Sequence, residues 1–483
     1  METIHLKTVD PFSQDLLRAA EQKGFDLNWE RYENLQPQDG FLRLGLSCPY
    51  GCMQGPCRID PFGRGPKRGL CGLDRDGMVG AFFLRLILQG VLEVFKEKEP
   101  SFKQNIQSLS EKAIEKTGGS QVSVSDIHRS ATMLVRPAQS PADMVRQSIR
   151  LGILACHLMY RENESTQYIP CKAGYGLLSG KQPIIGVAGA PDRESINALY
   201  ETLCQKETEP ARLLSLGEWI ELKNQFLPCV CTTGEAELLL SSGKISLLLS
   251  GPKTDPGLFE ICRRLNIPVV DAGSSFEIDN ILRSARDYHS THSQIEAEPD
   301  PSMIGEGQVA LSANLLQQAF KSGKDARVAI VGGFDTPQLS LGWIPAELTK
   351  ALRGMDHLVA AWGDAALWVI KEGLSAPEQP SPVMILDPYR GPLHAVSALA
   401  AIGRIDTLSG ICFTGLSGCH ELAVALGLAA MGNRVCIATP LPLWGSETIR
   451  NLLSDNLKDC GGLLMHYDHP AEAEEILDWF AQT

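Results

Sequence analysis

Four cysteines, Cys48, Cys52, Cys57 and Cys71, lie in the stretch Gly45-Leu46-Ser47-Cys48-Pro49-Tyr50-Gly51-Cys52-Met53-Gln54-Gly55-Pro56-Cys57-Arg58 and the following Cys71-Gly72. Their spacing, Cys-x3-Cys-x4-Cys-x13-Cys, describes a wrap of loop able to surround one metal site. Cysteine thiolates are the ligands that iron–sulfur chemistry requires. The intervening glycines permit the positive φ angles such a wrap needs. The expectation is one [4Fe-4S] cluster on these four residues. A structural four-cysteine zinc site, or reduced thiols that bind nothing, are the alternatives; zinc pairs usually come as repeated Cys-x2-Cys knuckles.

Other residues offer thinner chemistry. Asp335, Asp364 and Asp387 each follow an expected strand, and ligands of open α/β sheets bind at strand C-termini. They are pocket candidates for a hard metal such as Mg2+ or a polar substrate; the plainer reading is three helix N-caps. Cys229 and Cys231 would share a face of a regular strand, with buried thiols as the plainer reading. Cys412, Cys419 and His420 flank the turn Thr414-Gly415-Leu416-Ser417-Gly418. That turn reads either as a small redox or anion site or as a tight βα turn capped by Ser417. Cys156-His157 and Cys171 read as core. Gly332-Gly333-Phe334-Asp335 is a lone glycine pair, not a dinucleotide fingerprint.

The elements expected to carry these residues change in texture along the chain. Residues 10–35 read as an amphipathic helix, and further helices are expected at 78–98, 103–116 and 141–161. From residue 183 short apolar runs at 184–189, 227–231, 245–249 and 267–270 alternate with helical patterns, the signature of parallel βαβ units. Residues 284–308 are polar and read as a linker. A second βα series has strands at 328–331, 357–361, 382–386, 410–414, 434–439 and 462–467, and ends in a helix over 471–481. The fold class expected is α/β: a helical N-terminal domain with an iron–sulfur loop (1–180), then two Rossmann-like parallel-sheet domains (181–305 and 306–483).

A chain of 483 residues with 44% hydrophobic and 21% charged content is that of an ordinary globular protein. Its formal charge of -13 argues against nucleic acid or an anionic membrane as the main partner. No apolar run is expected to span a membrane, and Met1-Glu2-Thr3-Ile4-His5 shows no signal peptide. Fourteen cysteines without export signals suggest metal ligation and buried thiols in a reducing, anaerobic cytoplasm.

The stretch from Gly55 to Gly72, which includes Gly55-Pro56-Cys57-Arg58-Ile59-Asp60-Pro61-Phe62-Gly63-Arg64-Gly65 and Pro66-Lys67-Arg68-Gly69-Leu70-Cys71-Gly72, resembles the B-cluster loop of the anaerobic, nickel-dependent carbon monoxide dehydrogenases, the wider group that also includes the hybrid-cluster proteins. Trp29-Glu30-Arg31-Tyr32-Glu33 and Gln36-Pro37-Gln38-Asp39-Gly40-Phe41 resemble its lead-in. Weaker similarity recurs at 229–235, 418–427 and 461–473. Catalytic members are distinctly longer. The resemblance implies that Cys48, Cys52, Cys57 and Cys71 hold a B-type [4Fe-4S] cluster, although the family's first spacing is typically Cys-x2-Cys.

The other sites of that family look dismantled. Asp39 and Ser47 stand where its D-cluster, on the dimer axis, takes cysteines. Its nickel–iron C-cluster would take a histidine from 187–191, where there is none, and cysteines where Gly333 (in Gly332-Gly333-Phe334-Asp335), Asp364 and Asp387 stand. Only Cys231 survives of Cys-Cys-Thr-Gly, followed by Thr232-Thr233-Gly234. The family's lysine is replaced by Leu422 in His420-Glu421-Leu422-Ala423, and its histidine ladder by Val94-Phe95-Lys96-Glu97. The resemblance therefore implies no D-cluster, no nickel C-cluster and no carbon monoxide dehydrogenase activity. The leading expectation is a catalytically degenerate electron-transfer or scaffold subunit of an anaerobic oxidoreductase complex, with a redox-protein partner. Arg58, Arg64, Lys67 and Arg68 put positive charge around its cluster loop, where they would raise the potential or dock an acidic partner; a solvated loop is the plainer reading. A homodimer is possible, packed for instance through Leu42, Leu44 and Leu46. The alternatives are an enzyme with a different, metal-dependent chemistry in the vacated cavity, and a structural subunit with a non-redox metal site.

Overall fold

Thirteen strands form one continuous sheet in the computed structural model, which describes residues 7–35, 40–95, 104–135, 140–161, 165–205, 211–292, 299–322, 326–378 and 381–482. The strands are β1 (Ile169–Ala173), β2 (Ile184–Ala188), β3 (Arg212–Leu216), β4 (Cys229–Cys231), β5 (Leu247–Ser250), β6 (Val269–Asp271), β7 (Gly305–Ala310), β8 (Arg327–Gly333), β9 (His357–Trp362), β10 (Val383–Leu386), β11 (Leu408–Phe413), β12 (Arg434–Ile437) and β13 (Leu463–His466). Their order is β13-β12-β11-β8-β9-β10-β7-β1-β4-β3-β2-β5-β6. Every pairing is parallel except β1 with β7, where Cys171 lies opposite Gly307. The fold class is α/β as expected. The two expected sheets are joined edge to edge through β1 and β7, the second of which lies in the segment read as a linker.

Two elements were expected otherwise near the N-terminus. Residues 10–35 form two helices, Pro11–Gln22 and Asn28–Asn34. Asp10 starts the first by accepting the Ser13 N–H at 2.9 Å, and the chain breaks at Gly24 in a left-handed conformation (φ 65°). Helix Arg75–Val94 begins three residues before the apolar run because Asp74 caps it through the Gly77 N–H at 3.0 Å. It is long and apolar enough to cross a membrane, contrary to expectation, yet Met78, Phe83, Leu84, Ile87 and Val91 are buried in the core.

The N-terminal helices do not stand apart from the sheet. Helices Arg75–Val94 and Pro141–Met159 pack against Cys419–Ala430 of the second βα series, and all three contribute to one hydrophobic cluster. The approach is close at Gly152 and Gly427, where a Cβ on Gly427 would stand 2.3 Å from the Gly152 carbonyl oxygen. Leu422, on the last of these helices, is buried there. Leu46 is likewise fully buried, so only Leu42 of the expected dimer leucines is well exposed.

Candidate functional site: a four-cysteine loop and a filled strand-end cavity

The loop is built by two short antiparallel contacts. Ser47 bridges to Arg58 and Arg68 to Asp74. In the first, the Cys48 N–H donates to the Cys57 carbonyl at 2.9 Å and the Ile59 N–H to the Leu46 carbonyl at 3.1 Å. In the second, the Gly69 N–H donates to the Leu73 carbonyl at 2.8 Å, leaving Cys71 on the turn between them. Arg75 ties the excursion down by donating to the carbonyls of Asp60 (3.0 Å) and Pro61 (2.8 Å).

Two of the four sulfurs accept main-chain N–H bonds. The Leu70 N–H donates to Cys57 Sγ at 3.3 Å and the Gln54 N–H to Cys52 Sγ at 3.4 Å. Such N–H···S bonds stabilise thiolate and tune iron–sulfur centres. The Tyr50 hydroxyl is buried and has no hydrogen-bond partner among the described residues. Its pKa is pushed up to about 12, first by burial and then by the nearby negative charge of Cys48 and Cys71. A buried hydroxyl close to these cysteines, with no partner among the described residues, fits a group held there. Among the described residues no three Cys, His, Asp or Glu side chains gather closely enough to hold one metal ion. Four thiols, two of them accepting main-chain N–H bonds, are a donor set of the kind an iron–sulfur cluster takes.

The two expected D-cluster positions differ in what can be said. Asp39 lies outside the described residues. Ser47 is buried, and its hydroxyl has no partner among the described residues.

At the C-terminal ends of the strands, two of the three aspartates come together. Asp335, after β8, donates its N–H to Asp364 Oδ2 at 3.0 Å. Asp364, in the first turn of helix Gly363–Lys371, also accepts from the Thr233 N–H at 3.4 Å and from the Thr233 hydroxyl. Both Asp335 carboxylate oxygens accept from Trp368 Nε1, at 3.0 and 3.1 Å. Burial raises the pKa of both carboxyls, and the Asp364 charge raises Asp335 further. Carboxyls raised in this way hold a proton more readily than exposed ones do. Asp387 does not join them. Its Oδ1 accepts from the N–H groups of Tyr389 (3.0 Å) and Arg390 (2.8 Å), as a capping residue does.

Sequence reasoning missed the residues that surround this pair. Glu235 is fully buried and holds Lys371 at 2.7 Å, with Asp10 at 3.4 Å from the same ammonium. Glu235 also accepts from the Ser13 hydroxyl at 2.7 Å and the Thr232 N–H at 3.0 Å. The capping-box spacing Thr232-x-x-Glu235 was the available signal. In the loop 187–191, Glu218 Oε1 accepts the N–H groups of Gly189 (3.0 Å) and Ala190 (3.2 Å). Burial raises the pKa of Glu218, and the Tyr389 hydroxyl hydrogen-bonds to it. Aromatic rings fill the space between. Trp219 Nε1 donates to the Gly363 carbonyl at 3.3 Å, and Phe334 stacks with Tyr389 at 6.4 Å. Gly332 has no side chain because Trp362 covers it, a Cβ there standing 2.0 Å from the ring. What stays open is a cleft of about 250 Å3 bordered by Pro191, Arg193, Glu218, Trp219, Asp387 and Arg390.

Cys412 and Cys436 are buried, and Cys419 and His420 are partly buried. Cys229 and Cys231 are buried, with their thiols raised by burial, and the β3–β4 register shifts between them. Cys412 faces Cys436 across β11 and β12, not Cys419. The turn before helix Cys419–Ala430 has Gly418 as its N-cap, and the Ser417 hydroxyl donates to Glu421 Oε1 at 2.8 Å. His420 Nδ1 lies 2.9 Å from Glu93 Oε2 on helix Arg75–Val94. His157 hydrogen-bonds Ser110 Oγ at 3.1 Å, and Cys156 Sγ contacts the Val424 carbonyl. Lys96 and Glu97 lie outside the described residues.

No protein-family profile matches the chain. Carbon monoxide dehydrogenase 1 of Methanosarcina mazei is 45% identical over 89 residues, which are 18% of this chain and 14% of that protein. Carbon monoxide dehydrogenase 1 of Carboxydothermus hydrogenoformans is 48% identical over 83 residues, 17% and 13% of the two chains. The match thus spans about one seventh of those relatives' length. Among solved structures, carbon monoxide dehydrogenase IV from Carboxydothermus hydrogenoformans superimposes with a TM-score of 0.79 at 18% identity, covering 98% of each chain. An as-isolated, nickel-free carbon monoxide dehydrogenase from Thermococcus sp. AM4 gives 0.77 at 17% identity, covering 99% of this chain and 96% of that one. The fold is that of the carbon monoxide dehydrogenases. Through the segment of matching sequence as well as the fold, the chain is related to that family.

Proposed function

We propose that the protein is a carbon monoxide dehydrogenase-like iron–sulfur protein that carries one [4Fe-4S] cluster and transfers electrons, or acts as a scaffold, within an anaerobic cytoplasmic oxidoreductase complex. Carbon monoxide turnover is not part of this reading. The observation that carries it is a contrast within one molecule. The cysteine loop keeps four thiols, two of them accepting main-chain N–H bonds, and the unpartnered Tyr50 hydroxyl. The strand ends instead hold aromatic rings, Asp335, Asp364 and a buried Glu235–Lys371 pair.

Cys48, Cys52, Cys57 and Cys71 would hold the cluster, which when bound supplies one-electron chemistry. The N–H groups of Gln54 and Leu70 offset negative charge on Cys52 and Cys57. The loop is fixed by Arg75 and by the buried Ile59, so its ligands need little rearrangement when charge changes. Residues 1–180 would be the cluster-bearing unit, with 181–305 and 306–483 as its sheet support. A redox-protein partner is implied, since one cluster cannot relay electrons over distance alone, and a homodimer is compatible with this role.

The test is metal content and EPR on protein purified without oxygen, before and after dithionite. About four irons per chain, no nickel and a reducible signal lost in Cys57→Ala are the expected results. Stoichiometric nickel would revive carbon monoxide chemistry, and zinc alone would leave a scaffold. A second reading, a different chemistry at the strand ends, is favoured by the cleft of about 250 Å3 beside Asp387. Saturable binding of Mg2+ that is lost in Asp387→Asn would support it.

A further inference from the structure

We infer that the cleft of about 250 Å3 at the strand ends binds a small organic acid, an aromatic monocarboxylate being the type. The inference rests on the strand-end reading and names the ligand class of that cleft. Loops that follow four strands border it: Pro191 and Arg193 after β2, Glu218 and Trp219 after β3, Leu311 after β7, and Asp387 and Arg390 after β10. Both βα series therefore reach it through strand C-termini, the place where ligands of α/β sheets bind. Its volume lies below the roughly 300–1,000 Å3 of drug-sized sites, so the ligand is small.

One wall of the cleft is apolar. Trp219 and Phe226 meet edge to face with ring centroids 5.4 Å apart, and Leu311 is buried beside them. The rim carries two guanidinium groups, each held along one edge by an acid. Arg193 Nε donates to the Glu221 carbonyl at 2.8 Å, and its Nη2 lies 3.1 Å from Glu221 Oε2. Arg390 Nη1 lies 3.5 Å from Asp387 Oδ2. A guanidinium has five N–H donors in a planar fork, and these contacts occupy part of each. Such a fork matches a carboxylate, which it can hold through two parallel bonds.

The acids of the cleft are engaged already, so a cation would have to displace their donors. Asp387 Oδ1 accepts the N–H groups of Tyr389 and Arg390, and Glu218 Oε1 those of Gly189 and Ala190. Burial shifts Glu218 towards its neutral form, which lessens its repulsion of a bound acid. Ala190, in the same contact, has φ 56°, a left-handed conformation of the kind that clusters at ligand clamps when the residue carries a Cβ.

The full chain, prepared without oxygen, is titrated calorimetrically with benzoate, benzyl alcohol and benzylammonium, which share one ring and differ in charge. Benzoate should bind saturably, and the other two about tenfold more weakly or worse. Arg193→Gln and Arg390→Gln should each weaken benzoate by about tenfold, since each removes a charged donor. The comparison of the three ligands needs no variant to fold. No saturable benzoate binding, or equal binding of all three, overturns the inference. So does benzoate binding that both arginine variants keep. Mg2+ binding that is lost in Asp387→Asn, with no benzoate binding, also overturns it and leaves the strand-end reading standing. If neither ligand binds, both fall.

Discussion

The main-chain N–H of Asp335 donates to the side chain of Asp364 at 3.0 Å, so two carboxyl groups share one buried corner at the ends of β8 and β9. Asp364 is raised from 3.8 to about 7 by burial, with the Glu235 charge adding to it. The folded chain therefore keeps a proton that the unfolded chain gives up. The stabilisation from this site is fully present below pH 4 and is lost as pH rises towards 7. Asp364→Asn cannot titrate, so the wild type should lose a few kcal/mol relative to it across that window, on the order of 1.4 kcal/mol per pH unit. Urea unfolding at several pH values reads this, and parallel stability curves for the two proteins would refute it.

Lys371 is the cation of a buried network with Glu235 and Asp10. Lys371→Met should destabilise by about 3–5 kcal/mol, because Glu235 is left charged and dry. Adding Glu235→Gln should recover a large part of that loss. Denaturant midpoints for the single and double variants decide it; equal losses would mean that packing, not charge, sets the cost.

Tyr50 offers its hydroxyl beside Cys48 and Cys71 with no partner among the described residues. Donors to a cluster favour its more negative, reduced state. Tyr50→Phe should therefore lower the midpoint potential while leaving iron content unchanged. An unshifted potential in an EPR-monitored redox titration would rule out that contact.

Gly427 lies where two helices touch, and a Cβ would stand 2.3 Å from the Gly152 carbonyl oxygen. Gly427→Val should cost about 3 kcal/mol or more through overpacking. Thermal unfolding would show it as a clear fall in Tm; an unchanged Tm would mean that the helices can separate freely.

Strands with apolar, β-branched sequences were legible: β2, β5 and all six of the second series fall where alternation placed them. Those missed had other reasons to be strands. β7 reads Gly-Glu-Gly-Gln-Val-Ala, and its Gly305 is needed because a Cβ there would stand 1.7 Å from the Ile370 carbonyl oxygen. Its polarity made it look like a linker, when helix packing over it was the constraint. The cysteine loop was legible because ligation demands a residue type at fixed spacing. The Glu235–Lys371 pair was not, since its partners lie 136 residues apart and only the sheet brings them together. Asp335 and Asp364 meet through a main-chain N–H, whereas Asp387 follows the plainer rule for a capping aspartate.

The seat of the cysteine loop draws on both ends of the chain. The Gly445 N–H donates to the Leu44 carbonyl at 2.9 Å, and the Ser446 hydroxyl donates to Asp76 Oδ1 at 2.6 Å. A ribosome that has delivered all four cysteines has still to make some 370 residues, the separation of Ser446 from Asp76, before these contacts can close. During that interval the thiols are tethered at one end only and open to oxidation or to the wrong metal. On the reading that these thiols hold a cluster, its loading belongs after translation, and a chain cut short before Gly445 should emerge with its cysteines present and their seat unmade.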